Sequence, residues 1–149
     1  MKAKDFLTKE ERLRIEASIG AAERRTSGEI RIHIERKCAS DPRERALRSF
    51  HKLGMTGTAA RNAVLIYVAC ESRKFAVLSD KGINEAVPPG FWKDVCSVLG
   101  DAFSAGRQAD GLERAVTLIG EKLKAFFPYQ EDDVNELPDD ISFDENEED

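Results

Sequence analysis

Between Glu29 and Arg36 apolar and polar residues alternate. Ile30, Ile32 and Ile34 fall on one side, and Glu29, Arg31, His33 and Glu35 on the other. A period of two is the mark of a strand with one face on the core. The charged face predicts a wet side and a place at or near a sheet edge, with His33 as a surface histidine. Ala63-Val64-Leu65-Ile66-Tyr67-Val68-Ala69-Cys70 is apolar throughout. Such a run predicts a strand buried on both faces, hence central. A polar turn at 71–74 and an apolar return from Phe75 to Leu78 make a hairpin with it.

The helices carry a different period. Thr8 and Glu11 have capping-box spacing, and the helix they open runs to about Arg24 with Ile15, Ile19 and Ala22 on one face. Asp41-Pro42 starts a second helix, with Asp as N-cap and Pro at the first position. Ala46, Leu47, Phe50 and Leu53 line it, and Gly54 stops it. After Ser79-Asp80-Lys81-Gly82 and Pro88-Pro89-Gly90 come two more helices. The first runs from about Phe91 to Ser104 on Trp92, Val95, Cys96, Leu99 and Phe103. The second runs from about Ala109 to Phe126 on Leu112, Ala115, Val116, Ile119 and Leu123. The order is helix-strand-helix-strand-strand-helix-helix. A right-handed crossover makes the first two strands parallel, and the hairpin makes the third antiparallel to the second. The predicted fold class is α/β, a three-layer α/β/α sandwich with a small mixed β-sheet.

Composition narrows the picture. The 149 residues suit one domain, large enough to bury a core unaided. Cys38, Cys70 and Cys96 are odd in number and lack CxxC spacing, so they read as free thiols of a reducing cytoplasm. No apolar run reaches the roughly 18 residues of a membrane span, and no apolar stretch follows the charged start, so neither a transmembrane helix nor a secretory leader is expected. Of 28 acids, eleven lie in residues 131–149, leaving 17 against 23 bases and a body charge of about +6. The acidic terminus reads as a solvated tail. The basic residues are not interleaved with aromatics, so neither nucleic acid nor membrane is an expected partner.

Several segments together resemble one family. They are Ser27-Gly28-Glu29-Ile30, Arg61-Asn62-Ala63-Val64-Leu65-Ile66, Leu78-Ser79-Asp80-Lys81-Gly82-Ile83, Phe91-Trp92, Gly111-Leu112 through Ile119-Gly120, Phe127-Pro128-Tyr129 and Asn135-Glu136-Leu137-Pro138-Asp139. Their order is similar to that of the TPM domain in its short cytosolic bacterial form. The family takes its name from a thylakoid acid phosphatase, a photosystem II repair protein and a nematode receptor-associated protein. The resemblance covers residues 5–143 as a single domain, leaving 144–149 as an acidic disordered tail. It implies an α/β/α sandwich, divalent cation binding in some members, calcium in particular, and acid phosphatase activity in plant members.

Topology says where chemistry could gather. The first two strands start, and the third ends, at one end of the sheet, so Glu29, Arg61, Asn62 and Asp80 converge there. Two carboxylates and an amide oxygen are hard ligands suited to calcium or magnesium. The expected metal residues are therefore Asp80, Glu29 and Asn62. The other arrangement has Asp80 capping the turn and Glu29 paired with Arg61. Asp132, Asp133, Asn135 and Glu136 form a second acidic candidate, though Leu137 stands where an EF-hand loop needs Gly. Leu137, Ile141 and Phe143 are expected to pin this segment to the body. No cysteine has an Arg six residues on, and there is no Walker loop and no HExxH. The function expected is a cation-binding or regulatory module, with an unidentified protein partner conceivable. The alternative is a metal-dependent acid phosphatase, with Glu29 or Glu71 as base and Arg61 holding phosphate. A third reading is a scaffold pairing through the edge of the first strand.

Overall fold

The computed structural model describes residues 1–131 and 135–146. In chain order the elements are α1 (Lys9–Glu23), β1 (Glu29–Glu35), α2 (Pro42–Lys52), β2 (Ala63–Ala69), β3 (Lys74–Ser79), α3 (Lys81–Asn84), α4 (Lys93–Ser104), α5 (Gln108–Lys124) and β4 (Ser142–Asp144). The caps legible in the sequence are made. Thr8 and Glu11 form a reciprocal capping box, Asp41 accepts from the Arg43 N–H, and Gly54 takes the left-handed conformation (φ 70°) after α2. The sheet order is β3-β2-β1-β4. β1 and β2 are parallel, with Glu29 opposite Ala63. β2 and β3 are antiparallel, with Val64 opposite Ser79. The fold is the mixed-sheet α/β architecture expected.

Two cores flank the sheet. Ile30, Ile32 and Ile34 join Val64, Ile66 and Val68 on the face covered by α1, α4 and α5. The three isoleucines are fully buried, and each such burial stabilises by about 1.5–3 kcal/mol. Ala63, Leu65, Tyr67 and Ala69 face the other way, against Ala46 and Phe50 of α2. Every residue of β2 is buried, as its unbroken apolar run requires. Among the described residues no helix is long and apolar enough to cross a membrane.

β1 departs from expectation. It lies inside the sheet rather than at its edge, because β4 pairs with its other side from His33–Ser142 to Glu35–Asp144. Its polar face is not wet: Glu29, His33 and Glu35 are all buried. These polar groups survive burial because each finds a partner. Glu35 accepts from Tyr67 Oη and pairs with Arg45 at 3.1 Å, and His33 Nδ1 lies 2.9 Å from Ser142 Oγ. Burial raises the Tyr67 phenol, and its bond to Glu35 raises it further. Against the cost of its own burial, bonds from His33 and Tyr67 and the Arg45 charge hold Glu35 below its ordinary value.

The expected disordered tail does not describe residues 144–146. Asp144 belongs to β4, Glu145 accepts from the N–H groups of Ala3 (2.6 Å) and Lys4 (2.9 Å), and Asn146 exchanges hydrogen bonds with the Lys37 backbone. Residues 147–149 lie outside the described residues. A fourth strand supplied by the C-terminal segment has no local signal in Ser142-Phe143-Asp144, so the sequence pattern predicts only three. Truncation after Ile141 is accordingly expected to cost about 2 kcal/mol, from lost ladder bonds and uncovered Phe143 contacts. Urea unfolding of the truncated chain measures this, and an unchanged midpoint would mean that β4 adds nothing.

Candidate functional site

Asp80, Asn62 and Glu29 do lie at one end of the sheet. The Asp80 N–H donates to Ala63 O, and the Glu29 N–H to Asn62 O. The side chains of Asp80 and Glu29 nevertheless enter different clefts. Asp80 is gripped by Arg61, whose Nε reaches Oδ2 at 2.5 Å and Nη2 reaches Oδ1 at 2.8 Å. Oδ1 also caps α3 by accepting from the Lys81 N–H. Burial penalises the charged Asp80, but the Arg61 and Lys81 bonds win and lower its pKa. Both carboxylate oxygens are thus committed. Asp80 takes the turn-capping role, and the pairing of Arg61 falls to Asp80 rather than Glu29. Asn62 is buried, donates from Nδ2 to Ser27 O, and leaves Oδ1 with no donor among the described residues.

Glu29 belongs to a second cleft of about 200 Å³. Three chain segments cross to form it: the end of α1, the α1–β1 loop and the C-terminal segment. Backbone contacts join them, with Thr26 bridging Pro128 and the Ser27 N–H donating to Phe127 O. Leu137 and Ile141 are buried, as expected of residues that pin the segment down. The acids gather here. Glu29 Oε1 accepts from the Leu137 N–H at 2.8 Å, and Glu23 Oε2 accepts from the Ile30 N–H at 2.8 Å. Asp139 takes a bond from Asn135 Nδ2 at 3.1 Å. Gly20 leaves room for Asp139, whose Oδ2 lies 3.6 Å from where a Cβ would stand.

The remaining oxygen of Glu23 decides what this cleft can do. Oε1 is sealed from solvent and receives no donor among the described residues. Glu23 meets the Asp139 carboxyl. Two carboxylates can share that contact only through a proton or a cation, since neither brings a donor when ionised. Burial foremost, then the bond to Asp139, pushes Glu23 up to about 10, with Glu29 adding repulsion. Burial likewise pushes Glu29 up to about 7, despite two stabilising backbone N–H bonds. Arg24 is the one cation that lines the cleft, its Nη1 3.8 Å from the Gly20 Cβ position, against three carboxylates whose oxygens are hard ligands for a divalent cation. Glu23, Glu29, Asp139 and Asn135 line the cleft together.

Of the residues that line this cleft, Glu29 is one of the expected metal residues, and Asn135 belongs to the separate acidic candidate. Asp132 and Asp133 of that candidate lie outside the described residues. Glu23 and Asp139 were missed. Glu23 sits among charged helix positions with no pattern to mark it, and Asp139 reads as one more wet acid.

Elsewhere, His33, Glu35 and Asp144 bring ligand atoms within 4.8 Å of one another, a closeness that the carboxylates of the cleft do not share. That cluster is satisfied already. Glu35 is held by Tyr67 and Arg45, and Lys52 stands 3.8 Å from Asp144. It joins β4 to β1 and lacks the donor-starved oxygen of the other cleft. Glu71, one candidate base, pairs at 3.2 Å with the N-terminal ammonium beyond the far end of β2.

Comparison with known proteins places these observations. Residues 1–122 match the family profile described as TPM domain. Among solved structures, the BA42 protein from the psychrophilic bacterium Bizionia argentinensis is 41% identical with a TM-score of 0.89, over 95% of this chain and 98% of that one. The N-terminal domain of the cg2496 protein from Corynebacterium glutamicum shares the fold at 13% identity and a TM-score of 0.63, over 78% of this chain and 74% of that one. No curated protein matches the chain.

Proposed function

The chain belongs to the TPM-domain family, and from that premise we propose that it is a divalent-cation-binding module whose ion sits in the cleft of Glu23, Glu29, Asn135 and Asp139. The observation that carries this is the buried Glu23 Oε1, which has no donor among the described residues, on a carboxyl that meets that of Asp139. Calcium is the expected ion. A site assembled from three crossing segments offers irregular geometry, which calcium tolerates better than magnesium. The bound ion would tie the C-terminal segment to α1 and β1, so that cation level regulates how firmly this segment docks. Action in the cytoplasm is part of the same proposal.

Phosphatase chemistry is less well supported. It needs an open metal position and a base within reach of a water. Asp80 spends both oxygens on Arg61, and Arg61 is then not free to receive phosphate.

Calorimetric titration of metal-stripped protein with calcium, followed by amide NMR, tests the assignment. Shifts are expected at Gly20, Glu23, Glu29, Asn135 and Asp139. Asp139→Asn is expected to weaken binding about tenfold or more, near 1.4 kcal/mol, while Asp80→Asn leaves the affinity unchanged. The reverse pattern would move the ion to the other side of the sheet edge, and a silent titration up to millimolar calcium would end the proposal.

A further inference from the structure

β3 is one of the two edge strands of the sheet, and it opens into a groove of about 790 Å³. α2 forms one wall and the start of α4 the other, with Val77, Leu47 and Trp92 among its apolar lining. The register determines what the edge offers. The Asp80 N–H donates to Ala63 O, opposite it in an antiparallel pair. Main-chain groups of Leu78, Ala76 and Lys74 therefore point to β2, and those of Phe75, Val77 and Ser79 point outward. Asn84 Nδ2 takes the Ser79 carbonyl at 2.9 Å. The outward N–H groups of Phe75, Val77 and Ser79 and the carbonyls of Phe75 and Val77 have no partner among the described residues.

The rim of the groove is basic. Arg43, Lys81 and Lys93 line it and form no ion pair among the described residues, against one acid in the same condition, Glu44. Asp80 is cancelled by Arg61. Trp92 is held in place, its Nε1 donating to Ser79 Oγ at 2.9 Å. A half-covered strand edge, apolar walls and unpaired cations together suit one kind of occupant.

We propose that β3 is a docking edge for an acidic peptide segment of a partner protein, which adds as a fifth strand alongside Phe75–Ser79. Main-chain bonds to Val77 and its neighbours supply the pairing. Alternate apolar side chains turn to the α2 wall at Leu47, acidic ones turn to the other wall and meet Lys81 and Lys93, and Arg43 adds positive charge at the rim. The open stretch accommodates about five residues at roughly 3.3 Å each. This surface is separate from the carboxylate cleft, so it stands or falls independently of cation binding.

Fluorescence anisotropy with a labelled, end-capped (Glu-Val)3 hexapeptide tests the edge on the full chain. Saturable binding is expected, weakened about tenfold or more by Lys in place of Glu, by N-methylation of alternate residues of the peptide, or by the protein double variant K81E/K93E. Val77→Pro removes an outward N–H that β2 does not use and is expected to abolish binding. The charge-reversal variant keeps the test decisive if the proline variant fails to fold. No saturable binding, or binding indifferent to N-methylation or to charge, overturns the proposal. Sedimentation of the protein alone adds one more arm: a dimer that K81E/K93E strengthens or Val77→Pro dissolves would give the edge to a second copy of this chain, and overturn it.

Discussion

Gly82→Ala is expected to lower the unfolding free energy by about 3 kcal/mol, at the upper end for an overpacked site. A Cβ at this position would stand 2.1 Å from Ala60 O and 2.6 Å from Arg61 O. Both are backbone atoms, so no side-chain rotation relieves the clash. The Gly82 N–H donates to the same Arg61 carbonyl at 2.9 Å, which is why the two segments lie so close. Arg61 itself is held at φ 51°, a conformation uncommon outside glycine. The turn that must move also carries Asp80, so the Arg61–Asp80 pair and the floor of the β3 groove should shift with it. Gly57→Ala is the control. Nothing lies within 4 Å of its Cβ position, and a change within about 0.5 kcal/mol is expected. Denaturant unfolding of both variants checks this, and equal midpoints would show that the backbone around Gly82 yields.

Raising the pH is expected to destabilise the metal-free protein, and calcium to reverse the loss. Glu29 titrates at about 7 in the fold against 4.5 when free. Between those values the folded state holds more protons than the unfolded one, so the unfolding free energy falls as pH rises. Its stabilising contribution is complete below the unfolded pKa and is lost as pH rises through the folded one. For Glu29 the span is on the order of 3 kcal/mol. Glu23, at about 10, extends the decline beyond neutrality. A divalent cation substitutes for those protons, so its apparent affinity should rise with pH, by up to about tenfold per pH unit for each proton released. Melting followed by circular dichroism at pH 5, 6, 7 and 8, with and without calcium, provides the readout. The metal-free Tm should fall across the series, and the calcium increment should grow. Glu29→Gln should flatten the metal-free profile and raise the Tm at pH 8. A metal-free Tm that climbs with pH, or a calcium increment that ignores pH, would contradict the charge balance of the cleft.

Much of the architecture was legible residue by residue. The alternation of Ile30, Ile32 and Ile34, the apolar run at 63–70, and the caps at Thr8 and Asp41 each locate an element through a local rule, and the elements stand where those rules put them. Local rules do not see what covers a strand. The polar face of β1 looks wet in sequence because Glu29, His33 and Glu35 carry no mark of their partners. Those partners, Leu137, Ser142, Tyr67 and Arg45, lie from 10 to 109 residues away.

The candidate cleft shows the same division. Glu29 could be named because it opens a strand at a sheet end. Glu23 and Asp139 are 116 positions apart in the numbering, and nothing local distinguishes them from other surface acids. The sequence by itself determined the periodicities, the caps, the parallel crossover and the hairpin, because each depends on neighbours within a turn or a strand. Only the tertiary structure decided that β4 covers β1, that Asp80 spends its charge on Arg61, and that three acids share one cleft. A buried charge takes its character from the groups packed around it, and that packing is set by segments that cross far from one another along the chain.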